Sequence, residues 1–378
     1  MKKLLSVLLC LCMLVSVIAL ASCGKDNTDP TPTPGKPGDT TGDGGNTDKE
    51  ALKAQWKAEF LKGADEVTVS ETSVTFKDAT SADGSTVTIN KNPGKVVNLY
   101  GSFTTLWYEA GGSVIGCIGG NSAKELYLEY IGRDITADNG MTVVATSSSG
   151  NKWNTEKILG LQPDLLICST AMSGYSTIES PAASANVPVI AVDYDDFSDY
   201  LKWFKVFCNL TGHTELWESV AMKALDEVVE VLAEIPADNG TKVFSMFSGS
   251  KSLQANTSAT VVGGMVKAMN CSNIADSWQG TLDGAGRRDI NLETVFAANP
   301  DIIIVQCHAG ADVAKKQVED TYGSNPVWQS LNAVKNGKVF YLEKTLFHNK
   351  PNSRFAEAYQ KLAEILYPDV NFSFKATK

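Results

Sequence analysis

An internal repeat constrains the fold of this chain more than any other feature of its sequence. Residues 154–164, with the sequence NTEKILGLQPD, return in the second half of the chain as residues 291–301, NLETVFAANPD. In each copy an asparagine precedes a short helical stretch, a glutamate lies in the first turn, and Pro-Asp ends the helix before an apolar strand. The sequence therefore predicts two related lobes.

Short apolar segments separated by helical stretches extend this pattern along the whole chain. We predict strands at residues 96–100, 113–118, 165–168 and 187–192, and again at 243–247, 302–306 and 339–342. Strands that alternate with helices are typical of a mostly parallel sheet covered by helices, so the predicted fold class is α/β.

The segments around these lobes have their own signatures. Residues 51–64 show the spacing of a short helix, and residues 66–90 alternate as a hairpin around Asp83 and Gly84. A long helix at 214–235, ended by Pro236, carries an apolar stripe. We therefore place an N-terminal helix and hairpin at 51–93, a first lobe at 94–213, a linking helix at 214–236 and a second lobe at 237–378.

The N-terminus has the signature of an exported lipoprotein. Lys2 and Lys3 precede an uncharged apolar run over residues 4–20, which ends in Leu-Ala-Ser and Cys23. A transmembrane anchor is the alternative, but a span needs about 20 apolar residues. We predict that residues 1–22 are a cleaved signal peptide and that Cys23 carries acyl chains such as palmitate. The protein would then be lipid-anchored on the extracytoplasmic face of the cell membrane.

Composition narrows the remaining possibilities. Residues 24–50 contain no aliphatic, aromatic or sulfur-containing side chain, so we predict that residues 23–50 form a disordered tether behind the lipid. The net charge of −10 argues against a nucleic-acid partner. Five cysteines remain beyond the tether, without the spacing of a zinc site or a disulfide framework. We expect them to be buried, although one disulfide stays open.

The segment from Glu156 to Ile167 resembles the E-x-I-L-x-L-x-P-D-L-x-I motif of siderophore- and vitamin B12-binding proteins of ABC importers. Further matches lie at residues 95–99, 186–190, 210–213, 272–275, 333–340 and 354–368. The resemblance implies two Rossmann-like lobes joined by one long rigid helix, with a ligand cleft between them. It also implies a monomeric receptor that delivers a metal chelate to an ABC permease and its ATPase subunit.

The resemblance leaves the chelate open. A ferric siderophore or similar iron complex is the first expectation, and haem or a corrinoid such as vitamin B12 is the alternative. A surface interaction lipoprotein without a transport role would also explain the leader and tether. An enzyme is not expected, because the chain has no G-x-S-x-G, H-E-x-x-H or phosphate-binding glycine motif.

The repeated glutamates, Glu156 and Glu293, have two explanations. A carboxylate in the first turn of a helix is favoured by the helix dipole, by about 0.3 to 1 kcal/mol. In the family that the chain resembles, one exposed glutamate on each lobe contacts arginines of the two permease subunits. The resemblance therefore implies that both glutamates are permease-docking residues.

Ligand contacts are expected from loops that follow strands, because open α/β sheets place their clefts at the carboxyl ends of the strands. From the first lobe these candidates are Tyr100, Ser102, Ser148, Ser149, Ser169, Thr170 and Tyr194. From the second lobe they are Gln254, Asn256, Arg287, Arg288, His308, His348 and Lys350. We expect at least one of the two adjacent arginines to face the cleft and to bind a carboxylate or catecholate.

The histidines are too few for direct capture of a bare metal ion. Sites for bare transition metals combine several His and carboxylate ligands, and His213 belongs to the segment that enters the linking helix. The sequence therefore predicts a bound chelate as ligand and no covalent cofactor other than the lipid. His308 or His348 stays open as an axial ligand to haem iron.

Overall fold

The computed structural model describes residues 44–147, 153–237 and 240–376. The predicted signal peptide, Cys23 and the tether up to residue 43 lie outside these ranges, as do Ser148 and Ser149. Among the described helices, none combines the length and the apolar content that crossing a lipid bilayer requires.

The helices and strands alternate through most of the chain. The helices are α1 Gly44–Asp65, α2 Gly101–Glu109, α3 Asn121–Ile131, α4 Thr155–Gly160, α5 Tyr175–Ser184, α6 Phe197–Thr211, α7 Lys223–Ala233, α8 Val261–Ala268, α9 Leu292–Ala298, α10 Ala311–Tyr322, α11 Pro326–Ser330, α12 Asn332–Lys335, α13 Lys344–Phe347 and α14 Phe355–Leu366. The strands are β1 Thr68–Val69, β2 Ser73–Phe76, β3 Val87–Asn90, β4 Val96–Asn98, β5 Gly116–Ile118, β6 Thr142–Ala145, β7 Leu165–Cys168, β8 Val189–Ala191, β9 Lys242–Ser248, β10 Leu253–Asn256, β11 Ser272–Asn273, β12 Arg287–Asp289, β13 Ile302–Cys307 and β14 Val339–Leu342.

The first lobe contains a parallel sheet in the order β6-β5-β4-β7-β8. The strand order reverses at β4, because the chain winds from β4 to β5 and β6 on one side and continues with β7 and β8 on the other. A crevice opens where such a reversal brings the ends of two neighbouring strands together. The loops after β4 and β7 therefore begin the ligand-binding edge of this lobe.

The second lobe has a mixed sheet in the order β12-β10-β9-β13-β14, with the short β11 also pairing with β9. Strands β9, β13 and β14 are parallel, whereas β10 and β12 run antiparallel to their neighbours. Both copies of the repeat form a short helix followed by a central strand, α4 with β7 and α9 with β13. The predicted α/β fold with two lobes is confirmed.

The linking helix differs from its prediction at one end. A π-helical segment, Trp217–Met222, comes first and α7 follows it directly. Leu225, Val228, Val229 and Leu232 form the predicted buried stripe. α7 packs against both α1 and α14, and one hydrophobic core continues from the first lobe through these helices to the second-lobe sheet. The two lobes are therefore joined by packed side chains as well as by the chain.

The N-terminal helix begins earlier than the sequence predicts. α1 starts at Gly44, inside the range assigned to the tether, and residues 48–50 are exposed in it. Exposed helical residues such as 48–50 need no apolar side chain, so composition could not reveal this part of the helix. Farther along α1, Phe60 packs edge-on against Phe197 of α6 with ring centroids 5.1 Å apart. The predicted hairpin is present as β2 and β3.

The sequence missed β6, β10 and β12. β10 and β12 are rich in polar residues and β6 is a short segment after a glycine-containing turn, so none shows a long apolar run. All five cysteines of the folded part are buried, as expected.

Candidate functional site

A cavity of about 470 Å³ lies between the two lobes. The first lobe lines it with Tyr100, Phe103, Ser169, Thr170, Ala171, Met172, Val192, Asp193, Tyr194 and Asp195. The second lobe lines it with Phe247, Thr260, Val261, Gly284, Ala285, Arg287, Gln306, His348 and Lys350. Many of these residues directly follow a strand, as the topology requires.

The first-lobe wall is aromatic. The Tyr100 ring lies 4.4 Å from that of Phe103, and Phe103 stacks on Tyr194 with centroids 6.4 Å apart. Burial raises the pKa of both tyrosines above its ordinary value, so both phenols stay neutral near pH 7. This wall offers ring faces and hydroxyl groups to a ligand, but no positive charge.

Arg287 supplies a cation from the opposite wall. Its Nε donates a hydrogen bond of 3.1 Å to Oδ1 of Asn256, and its guanidinium carbon lies 3.8 Å from the ring centroid of Phe247. Burial lowers the pKa of Arg287, and Asp283 opposes this effect. In the described part of the chain no carboxylate forms an ion pair with Arg287, so its charge remains available to a ligand.

The Arg287 side chain is held by a polar network beneath the cavity floor. Asn256 is fully buried, and its Nδ2 donates to Oε1 of Gln306 at 3.0 Å. Gln306 in turn donates from Nε2 to the carbonyl of Phe347 at 2.6 Å. Because these amides are satisfied by one another and by Arg287, they fix the direction of the guanidinium.

Lys350 lies where the two lobes meet. Its ammonium donates to the backbone carbonyl of Tyr194 and lies 3.8 Å from Oδ1 of Asp195, both in the first lobe. Burial lowers the pKa of Lys350, and Asp195 partly offsets this. Lys350 therefore bridges the lobes, and Asp195 balances its charge.

Two histidines meet at the second-lobe side. Nδ1 of His308 lies 2.9 Å from Nε2 of His348, and their ring planes are nearly perpendicular, at 84°. Burial, followed by the charge of His308, lowers the pKa of His348 to about 3. Burial and Lys344 lower that of His308. Both imidazoles are therefore neutral near pH 7.

Comparison with known proteins places the chain in a family. The model of a periplasmic binding protein domain matches residues 123–346. The chain belongs to the periplasmic binding proteins. It is accordingly a substrate-binding protein of the ABC-importer class and not an enzyme.

Individual relatives agree with this assignment. The receptor is 26% identical to an ABC transporter substrate-binding lipoprotein of Bacillus subtilis, YvrC, over 87% of this chain and 93% of that one. It is 25% identical to the Fe(3+)-citrate-binding protein YfmC of the same organism, over 67% and 74% of the two chains. The structure of FeuA from Bacillus subtilis with ferri-bacillibactin has the same fold, with a TM-score of 0.58, 18% identity, and coverage of 78% and 98%.

The cavity contains about half of the residues that the sequence nominated. Tyr100, Ser169, Thr170, Tyr194, Arg287, His348 and Lys350 line it. His308 does not line it but contacts His348. Ser148 and Ser149 lie outside the described residues.

The other nominated residues lie elsewhere, for identifiable reasons. Ser102 is buried in the first turn of α2 and does not line the cavity. In β12, Arg287 pairs with Asn256 and Arg288 with Ala255, and neighbouring strand residues face opposite sides. Arg288 therefore points away from the cavity and donates to the carbonyl of Gly280. Arg288 is not among the residues that line the cavity, whereas Arg287 is.

Gln254 and Asn256 support the site instead of lining it. Nε2 of Gln254 donates to Oδ2 of Asp283 at 3.0 Å, and the other oxygen of that carboxylate accepts the backbone N–H of Arg287. Most of the other lining residues were not nominated, Phe103 and Gln306 among them. Gln306 lies near the end of β13, where the rule of strand ends could have found it, whereas Phe103 looks like any core residue of α2.

The repeated glutamates occupy equivalent, exposed positions. Glu156 of α4 and Glu293 of α9 each follow an asparagine whose side chain caps the helix. Each helix leads through a short turn into a central strand that runs back, so its N-terminus lies toward the edge where that strand ends. Both carboxylates are exposed, and among the described residues neither has an ion-pair partner.

A buried carboxylate links the lobes behind the cavity. Oε1 of Glu109, the last residue of α2, accepts hydrogen bonds from the hydroxyl and the backbone N–H of Ser353 in the second lobe. Its other oxygen is buried without a partner among the described residues. Burial raises the pKa of Glu109 from 4.5 to about 7, although the bonds from Ser353 oppose the shift.

This carboxylate predicts a pH dependence of stability. Because the pKa of Glu109 is higher in the folded than in the unfolded protein, protonation of this carboxyl stabilises the fold. This contribution to the free energy of unfolding is complete below pH 4.5 and is lost as the pH rises through about 7. The Glu109→Gln side chain is neutral at every pH, so the variant should keep its free energy of unfolding as the pH rises. The wild type should lose roughly 3 kcal/mol at most over the same range. Chemical denaturation at pH 5 and pH 8 checks this, with the exposed Glu71→Gln as control. Parallel pH profiles for wild type and Glu109→Gln would contradict it.

Proposed function

We propose that this receptor captures an anionic metal chelate, of the ferric siderophore or ferric carboxylate type, in the interlobe cavity. The observation that carries the proposal is Arg287, a cation in the cavity wall without an ion-pair partner among the described residues. A guanidinium binds carboxylate and catecholate oxygens through two parallel hydrogen bonds. Lys350 lines the same cavity, but its charge is balanced by Asp195, so Arg287 supplies the attraction for a negative ligand.

Cavity size favours a small chelate within this class. Ligand pockets usually measure about 300 to 1,000 Å³, and 470 Å³ lies in the lower half of that range. A relative named for Fe(3+)-citrate binding supports a compact carboxylate chelate. Haem is the second candidate, because His348 stacks on Phe247 at 5.7 Å and faces an aromatic wall.

A binding panel tests the proposal. Intrinsic tryptophan fluorescence of the receptor is titrated with ferric citrate, a ferric catecholate siderophore, haem and cobalamin, and native mass spectrometry gives the stoichiometry. Saturable one-to-one binding of a ferric chelate is expected. Preference for haem would select the second candidate, and preference for cobalamin would contradict both. Failure of all four ligands would contradict the proposed ligand class.

Lipid attachment at Cys23 would keep this receptor at the extracytoplasmic face of the membrane. The support is the leader sequence together with a lipoprotein relative that spans nearly the whole chain.

Loss of the lipid site should release the receptor. Cys23→Ser is expected to move most of the protein from the membrane pellet to the soluble extracytoplasmic fraction, because no acyl chain can then be attached. Fractionation followed by immunoblotting measures the shift. Ligand affinity of the purified variant serves as the control, since residue 23 lies outside the folded lobes. A variant that stays in the pellet would show that another element anchors the chain.

Delivery would take place through Glu156 and Glu293. A monomeric receptor that presents one exposed carboxylate on each lobe can contact two permease subunits at once, and their ATPase partner would drive transport. The equivalent placement of the two glutamates on repeated helices supports this role.

A further inference from the structure

The contact between His308 and His348 has a geometry that suits a metal ion. Their facing nitrogens are 2.9 Å apart. Metal–imidazole bonds measure about 2.0 to 2.1 Å, so one ion bonded to both nitrogens would subtend an angle of roughly 90°. This is the angle between neighbouring positions of an octahedral or square-planar ion.

The same distance excludes a two-histidine haem site. A porphyrin fills the four equatorial positions of its iron and leaves two opposite positions, whose ligand nitrogens must be about 4 Å apart. Nitrogens 2.9 Å apart cannot take opposite positions. The pair therefore suits an ion with two neighbouring positions open.

The residues around His308 and His348 indicate whether such an ion would bind bare or within a chelate. Two imidazoles are too few to hold a bare metal, and the described residues contain no cluster of three or more His, Cys, Asp or Glu side chains placed to hold one. The remaining ligands must come from a chelator. Because Arg287, which has no ion-pair partner among the described residues, lines the cavity together with His348, the part of the chelate that faces it should carry negative charge.

We propose that His308 and His348 together bind the metal of an anionic chelate that leaves two adjacent coordination positions open. This inference rests on the proposed function and narrows its ligand to chelators with four donor atoms or fewer. Coordination replaces one hydrogen bond between the rings by two metal–nitrogen bonds. The imidazole that donated this hydrogen bond then carries its proton on its other ring nitrogen, so no proton is released.

Access to the pair is asymmetric. His308 is exposed and can turn its ring toward an arriving ion, whereas His348 is held by its stack on Phe247. We therefore expect the metal of the chelate to bind His348 first and His308 second. The exposure of His308 also makes it the safer position to substitute, because little packing is lost.

Nickel chelates provide the test. Nitrilotriacetate supplies four donors to Ni²⁺ and leaves two adjacent positions, whereas ethylenediaminetetraacetate supplies six and leaves none. The full chain, without a polyhistidine tag, should bind the nitrilotriacetate complex at least tenfold more tightly by calorimetry. His308→Ala and His348→Ala should each abolish this preference. His213→Ala, which alters the exposed third histidine, should retain it.

The outcomes separate this inference from the proposed function. Equal affinity of the wild type for both nickel complexes, or a preference that survives in His308→Ala, would overturn the inference alone if ferric chelates still bind. Failure to bind any anionic chelate would overturn the proposed function as well. Circular dichroism of His348→Ala establishes that its lost preference reflects the missing nitrogen and not unfolding.

Discussion

Arg287→Ala is expected to weaken binding of the anionic chelate by ten- to a hundredfold. The guanidinium lies in the cavity wall without an ion pair among the described residues, so its charge is directed to the ligand. A hydrogen bond to a charged group contributes about 1.5 to 3 kcal/mol, which corresponds to that range. Calorimetric titration of the purified variant with the chelate selected by the panel measures the loss.

The neighbouring arginine provides a matched control. Arg288→Ala removes the same charge from the same strand, but its side chain points away from the cavity. We expect less than a twofold change, because only long-range potential is lost. Arg287→Lys should recover part of the affinity, since it keeps the charge but not the planar pair of donors. Equal losses in Arg287→Ala and Arg288→Ala would show that net charge alone attracts the ligand.

Reversal of the charges of Glu156 and Glu293, the two proposed docking residues, should abolish transport without changing ligand affinity. In the double variant Glu156→Arg and Glu293→Arg, each lobe would present a cation to the permease arginines implied by the family resemblance. Like charges brought together at an interface cost several kcal/mol. Uptake of radioactive iron by cells that carry this receptor should fall to background, while ligand affinity stays unchanged because neither glutamate lines the cavity.

A second double variant controls for charge and for abundance. The double variant Glu71→Arg and Glu319→Arg changes two other exposed glutamates, one before and one after the linking helix in the sequence. It should transport iron at the wild-type rate. Immunoblotting must show equal receptor at the membrane in all strains. Uptake at the wild-type rate in the Glu156 and Glu293 double variant would remove these residues from the docking surface.

The repeat and the apolar strands predicted the architecture because they report burial directly. The segments that became β7, β9 and β13 are buried, largely apolar runs, and such runs have few alternatives in an α/β chain. β10 and β12 were missed because their polar residues satisfy the cavity and its supporting network instead of a core. The apolar pattern that predicts a strand is therefore absent where the side chains of the strand serve the cavity.

The site was predictable in part for the same reason. The rule of strand ends located Tyr100, Ser169 and Tyr194, whose positions follow from parallel topology. It could not choose between Arg287 and Arg288, since that choice depends on the antiparallel register of β12 with β10. Nor could it reveal the contact of His308 with His348, which joins loops 40 residues apart.

The joining helices bear on how the receptor works. One continuous core runs from the first lobe through α7 and α14 into the second. Lys350, Ser353 and Arg354 of the second lobe also contact first-lobe groups, Arg354 through an ion pair with Glu129. A large hinge opening would break these contacts together, so we expect ligand entry with small lobe movements.

X-ray diffraction at the iron absorption edge, from receptor crystals grown with ferric citrate, tests the central claim most directly. One anomalous peak is expected in the interlobe cavity, between Arg287 and Tyr194 and within reach of His348. Iron bound anywhere else on the receptor would contradict the account. So would a receptor that mass spectrometry shows to be saturated with the chelate but whose crystals hold no iron between the lobes.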